Sequence, residues 1–175
     1  VVGGTGSGKT TLVNALIDTM MDTFPHLRVF IFEDTAEIQC RADNCVQYHT
    51  TVEVTMAKLL KISMRMRPDT ILVGEVRGPE ALDLLMAWNS GHEGGIATLH
   101  ANNARAGLSK LALYISMNQD YPKPIEPLIA EAVQVVVHIT RCAEGRRVDD
   151  ILEVQGYKDG QYITRSLIEP KEHHR

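Results

Sequence analysis

Val1-Val2-Gly3-Gly4-Thr5-Gly6-Ser7-Gly8-Lys9-Thr10 opens the chain, and its last eight residues fit GxxxxGK[ST]. Such a loop carries meaning only between a strand and a helix. Both flanks are present: an apolar pair precedes Gly3, and Leu12, Val13, Leu16, Ile17, Met20 and Met21 recur as adjacent pairs four apart, the spacing of one helical face. Glycines let backbone N–H groups turn inward around a phosphate, and the helix N-terminus adds partial positive charge. The expected nucleotide-binding set is therefore Gly3, Gly4, Thr5, Gly6, Ser7, Gly8, Lys9, Thr10 and Thr11. Lys9 would bridge the β- and γ-oxygens of ATP, and Thr10 would offer its hydroxyl to Mg²⁺.

Working outward, Phe24-Pro25 ends the first helix and Arg28 to Phe32 reads as a strand that stops at acidic Glu33-Asp34. Val46 to Val54 is read as holding a short strand, and Thr55 to Met66 as a helix closed by Pro68. Thr70 to Glu75 is an unbroken apolar run ending in a carboxylate, the pattern of a strand covered on both faces. Pro79 opens a helix to about Trp88, Gly94 to Leu99 is a strand candidate, and Ala104, Leu108, Leu111, Ala112 and Ile115 give another helical stripe. Strands alternating with helices predict an α/β fold with a mostly parallel sheet. After Pro127 a short helix near Leu128 to Ala132 leads to strands at Val133 to Thr140, Val148 to Tyr157 and Gln161 to Ile168. Their joints, Gly145-Arg146 and Lys158-Asp159-Gly160, predict an antiparallel end to the sheet.

The chain has 175 residues, a net charge of −4 and three cysteines, Cys40, Cys45 and Cys142, with no CxxC pair. A single domain of this length needs no staples, and neither a disulfide framework nor a structural zinc is expected. No apolar run reaches the ~20 residues of a spanning helix, and the weak acidity gives no bulk attraction for nucleic acid. Two residues before the loop fall short of a full strand of ~5. Residues 1–175 are accordingly expected to be a fragment, lacking most of the strand before the loop and an upstream domain.

Parallel strands deliver their ends to one edge, where ligands of open α/β sheets bind. Glu75 ends one such strand and would either orient Mg²⁺ through water or polarise the attacking water. Glu33, with Asp34 and Glu37, ends another and is the second candidate for base catalysis. Within Gly91-His92-Glu93-Gly94-Gly95 and Thr98-Leu99-His100-Ala101, His100 stands where it could bond a γ-phosphate and report its loss. Arg77 is the arginine retained as a phosphate-compensating site residue; His49, His138, His173 and His174 are read as structural.

With these four elements in this order the chain resembles the NTPases of the type II and type IV secretion superfamily, RecA-like motors, and within it the TrbB-type ATPases of plasmid conjugation. The family's Walker A falls on Gly3 to Thr10, its Asp box on Glu33 to Glu37, its Walker B on Ile71 to Glu75 with Arg77, and its His box on Gly91 to Ala101. Ser63 to Pro68 and Ala81 to Asn89 carry the narrower likeness. The resemblance implies a RecA-like core and a homohexamer at the cytoplasmic face of the bacterial inner membrane. It also implies work with other inner-membrane secretion components and ATP hydrolysis that powers pilus assembly or DNA transfer.

Two alternatives stay open. A DNA translocase would want a basic loop, and the only dense basic cluster is Arg141 to Arg147, interrupted by Glu144. A nucleotide-dependent assembly switch with little turnover would need phosphate contacts but no positioned water.

Overall fold

Whether the glycine-rich loop lies at the edge of a parallel sheet depends on how the short apolar runs pair. In a computed structural model describing residues 1–168, β1 (Val29–Glu33) lies between β2 (Cys45–His49) and β3 (Thr70–Val73), all parallel. Side chains alternate along β1, so Phe30 and Phe32 face one core and Val29 and Ile31 another. All five β1 residues are buried, which is why the run shows no polar alternation in sequence.

One face of the sheet carries α1 (Lys9–Thr23), packed through Val13, Ile17 and Met21 on Val29, Ile31 and Leu72. Of the expected pairs only this single stripe is buried, and Leu16 remains exposed, because the core under α1 is small. The other face carries α2 (Met56–Ser63), α3 (Glu80–Trp88), α4 (Ala104–Ser116) and α5 (Glu126–Ala132) over the larger core. Leu60, Leu84, Leu85, Leu108 and Ile115 are essentially removed from water there. Burial of this kind is worth roughly 1.5–3 kcal/mol per side chain.

Several boundaries differ from expectation. The strand expected from Val148 starts at Gly145, so Gly145-Arg146 is already paired with Arg141-Cys142 and the turn falls on Ala143-Glu144; the strand after it ends at Ser166 rather than Ile168. β2 stops at His49 because Thr51 folds the chain into a turn, its amide donating to Val54 O and its hydroxyl accepting from Val54 N. α2 ends at Ser63 rather than Met66; the Ser63 hydroxyl bonds back to Leu60 O, and Arg67 turns to φ 54° ahead of Pro68. The candidate strand Gly94 to Leu99 forms no regular strand. It makes single bridges, Ala97 to Val73 and Leu99 to Val2.

Those bridges nevertheless position the site. Val73 N donates to Ile96 O and Val76 N to Thr98 O, while Leu99 N donates to Val1 O. On its far side Val2 exchanges bonds with Val137 O and Ile139 N of β4 (Val135–Cys142). Segment 96–99 and Val1-Val2 thus join β3 to β4, and the antiparallel pair β5 (Gly145–Lys158) and β6 (Gln161–Ser166) completes the expected architecture. Gly95 makes this possible: a Cβ there would stand 1.9 Å from the Trp88 indole nitrogen, which donates to Ile71 O at 3.0 Å. His173 and His174 lie outside the described residues.

Candidate active site

The loop leaves the sheet between segment 96–99 and β4 and enters α1 at Gly8, whose φ of 98° is a left-handed value suited to glycine. α1 has neither a capping side chain nor an acidic residue in its first turn. Its first amides therefore keep their donors for a ligand, and the dipole favours an anion. In front of them lies a cavity of about 450 Å³ lined by the loop, both strand-end carboxylates and His100. Ser7 Oγ is buried there without a partner.

A chain of charged groups crosses the cavity. Lys9 is buried; its Nζ donates to Gly3 O and Gly4 O at 3.1 and 3.2 Å and stands 3.4 Å from His100 Nδ1. A lysine ammonium only donates, so Nδ1 accepts in that contact and Nε2 is the ring nitrogen left over. That nitrogen faces Glu75 Oε1 at 2.7 Å. Glu75 Oε2 accepts from Arg77 Nε at 2.9 Å, and Arg77 Nη1 reaches Asp34 Oδ2 at 3.4 Å. Burial lowers the Lys9 pKa, opposed by the charges of Glu75 and Glu37. The Arg77 guanidinium is raised, first by its hydrogen bond to Glu75 and then by that carboxylate's charge.

Glu33 stands beside this chain with different partners. It is 2% exposed, and its Oε1 accepts from the amides of Glu37 and Ile38 at 3.0 and 2.8 Å. Its Oε2 is buried without a hydrogen bond, 3.8 Å from His49 Nε2. Glu37 in turn accepts from the Thr10 hydroxyl at 2.9 Å, and Asn14 binds the same loop through Glu37 O and Gln39 N. The acidic loop after β1 is thereby fastened to the start of α1.

The structure brings Thr5 to Thr11, Glu33, Glu75, Arg77 and His100 to one cavity, while Gly3 and Gly4 meet Lys9 through their carbonyls. The His box divides. His92 sits at the end of α3 with Nδ1 2.9 Å from Ala87 O, lining a separate cavity. Two members were not among the expected ligands. Glu37 was visible as part of the acidic cluster, but its bond to Thr10 depends on the fold of the loop. Arg146 was visible only as one residue of a basic run; its Nε lies 3.4 Å from Gly6 O.

Among the described residues no three His, Cys, Asp or Glu side chains form a metal cage. The donors present, a threonine hydroxyl with carboxylates at the rim, suit Mg²⁺, which keeps waters and takes phosphate oxygens rather than an all-protein shell. The orphaned Ser7 hydroxyl and uncapped amides likewise suit a polyphosphate.

Residues 1–171 match the family model described as "Type II/IV secretion system protein". The chain is 47% identical over 173 residues to the conjugal transfer protein TrbB of Rhizobium radiobacter, covering 98% of this chain and 53% of that protein. It is 39% identical to the type IV secretion system protein PtlH of Bordetella pertussis, covering 91% of this chain and 50% of that one. Among solved structures, the VirB11 ATPase from the Brucella suis type IV secretion system, in complex with sulphate, superposes with a TM-score of 0.77 at 34% identity. That match covers 86% of this chain and 46% of the other. The chain therefore spans about half the length of the curated relatives it matches.

Proposed function

We propose that this chain, which belongs to the type II/IV secretion system protein family, hydrolyses ATP at the loop Gly3 to Thr11. In this reading the full protein works as a homohexameric motor that powers conjugative DNA transfer or pilus assembly. The family and its structural neighbours are secretion ATPases, which supports the general activity. The observation that carries the finer reading is the unbroken sequence of contacts Lys9–His100–Glu75–Arg77 across one cavity of about 450 Å³.

Each residue then has a task. The amides at the start of α1 hold the phosphates, and Lys9 leaves its carbonyl partners for the β- and γ-oxygens. Bound Mg²⁺ would be held by Thr10, with Glu75 acting through water, and would neutralise charge on the transferring phosphoryl group. Glu75 orients the attacking water and receives its proton as that oxygen bonds the γ-phosphorus and the bond to ADP breaks. His100, touching both Lys9 and Glu75, senses whether the γ-phosphate is present. Glu33 braces the acidic loop through two backbone amides.

Work at the cytoplasmic face of the inner membrane, beside other secretion components, belongs to the same proposal. Its support is the family match and the relatives' roles in conjugal transfer and type IV secretion. Among the described residues no helix is long and apolar enough to cross a membrane. The translocase reading draws nothing from the basic run, since Arg147 is tied to Asp149 and Arg146 turns toward the loop. Phosphate release with Mg-ATP, compared between this sequence and Lys9→Ala, tests the proposal: turnover that depends on Lys9 supports it, and equal turnover in both defeats it.

A further inference from the structure

Because Val1-Val2 bonds to segment 96–99 on one side and to β4 on the other, the phosphate loop has two distinct flanks. Segment 96–99 leads to His100, which gathers Lys9, Glu75 and Arg77 on the first. β4 runs parallel to Val2 and ends at the same edge, where the tight turn Ala143-Glu144 returns the chain into β5. Arg146, paired with Arg141 in this hairpin, extends back over the second flank. Its Nε reaches Gly6 O at 3.4 Å, and its Cδ lies 2.4 Å from where a Cβ on Gly8 would stand. Glycine at position 8 is thus what lets the arginine lie against the loop.

The charge on Arg146 is otherwise uncommitted. Its neighbour Arg147 is held by Asp149 at 2.7 Å and Arg77 by Glu75 and Asp34, whereas Arg146 forms no ion pair among the described residues. Among the described residues its one side-chain polar contact is a long bond to a loop carbonyl, yet it lines the same cavity as Lys9 and Thr10. A guanidinium so placed meets an anion bound by the loop from the side opposite the γ-phosphate group of residues.

We propose that Arg146 is a nucleotide-binding residue, carried by the β4–β5 hairpin, that contacts the diphosphate portion shared by ADP and ATP. This rests on the loop being a nucleotide site.

The test is titration of the chain with Mg-ADP and Mg-ATP for the parent, Arg146→Ala, Arg146→Lys and Lys9→Ala, with melting temperatures taken without nucleotide. Arg146→Ala is expected to weaken ADP and ATP by the same factor, roughly tenfold for one lost charge-assisted contact. Arg146→Lys should recover part of that loss, and the ligand-free melting temperatures should agree. Parent-like ADP affinity in Arg146→Ala, with Lys9→Ala weakened, overturns the proposal and leaves the nucleotide site standing. A loss confined to ATP, or a loss that tracks a lowered melting temperature without rescue by lysine, also overturns it. A parent chain that binds neither nucleotide removes both readings.

Discussion

Two adjacent parallel strands, β1 and β3, each deliver a glutamate to the same sheet edge, but the structure holds those glutamates in different ways. Glu33 is sunk to 2% exposure and grips two backbone amides. Glu75 meets only side chains, hydrogen-bonded by Arg77 at Oε2 and approached by His100 at Oε1, and both neighbours are substantially exposed. Backbone partners fix a carboxylate, whereas side-chain partners can exchange it for a ligand. In the proposed function the difference separates a brace, Glu33, from a reacting group, Glu75, even though both carboxylates occupy strand ends.

The largest expected effect concerns what both carboxylates surround. Lys9→Ala should abolish measurable phosphate release, because the buried ammonium is the loop's own cation and is already poised at the carbonyls of Gly3 and Gly4. Parent-like turnover would break the comparison at its base. Next, Glu75→Gln should retain Mg-ATP binding while lowering turnover by roughly 10²–10⁴, the range for loss of a positioned base. A variant that instead binds ATP poorly would make Glu75 an anchor. His100→Ala should lower turnover by a smaller factor, about tenfold on the same scale, with nucleotide affinity nearly unchanged. Equal losses in affinity and turnover would make it structural. Smallest on catalysis but clear in melting experiments, Glu33→Ala should cost roughly 2–4 kcal/mol by stranding the amides of Glu37 and Ile38. Glu75→Ala, losing only side-chain partners near the surface, should be closer to neutral, and the reverse order would contradict the assignment.

The loop and its helix were readable in the residues because each follows from local chemistry: glycines before a lysine, then an apolar stripe. The parallel order of β1 and β3 was readable because fully buried strands leave unbroken apolar runs. Segment 96–99 was harder, since its bonds alternate between two neighbours and leave single bridges rather than a ladder. Contacts between distant segments were not readable. Nothing local to Thr10 announces Glu37, 27 residues away, and nothing local to the loop announces Arg146, 140 residues from Gly6. Packing of α1 on β1 supplies the first and the adjacency of Val2 and β4 the second, which is why Arg146 looked like one member of a basic run.

The most direct test replaces each glutamate by its amide and asks which nucleotide stays on the protein. Glu33→Gln and Glu75→Gln, each loaded with Mg-ATP, freed of excess ligand and then denatured, would release what they had held. The account predicts unhydrolysed ATP from Glu75→Gln, and ADP with steady phosphate release from Glu33→Gln. Parent-like turnover in Glu75→Gln, with intact ATP trapped on Glu33→Gln, would exchange the two roles and contradict it.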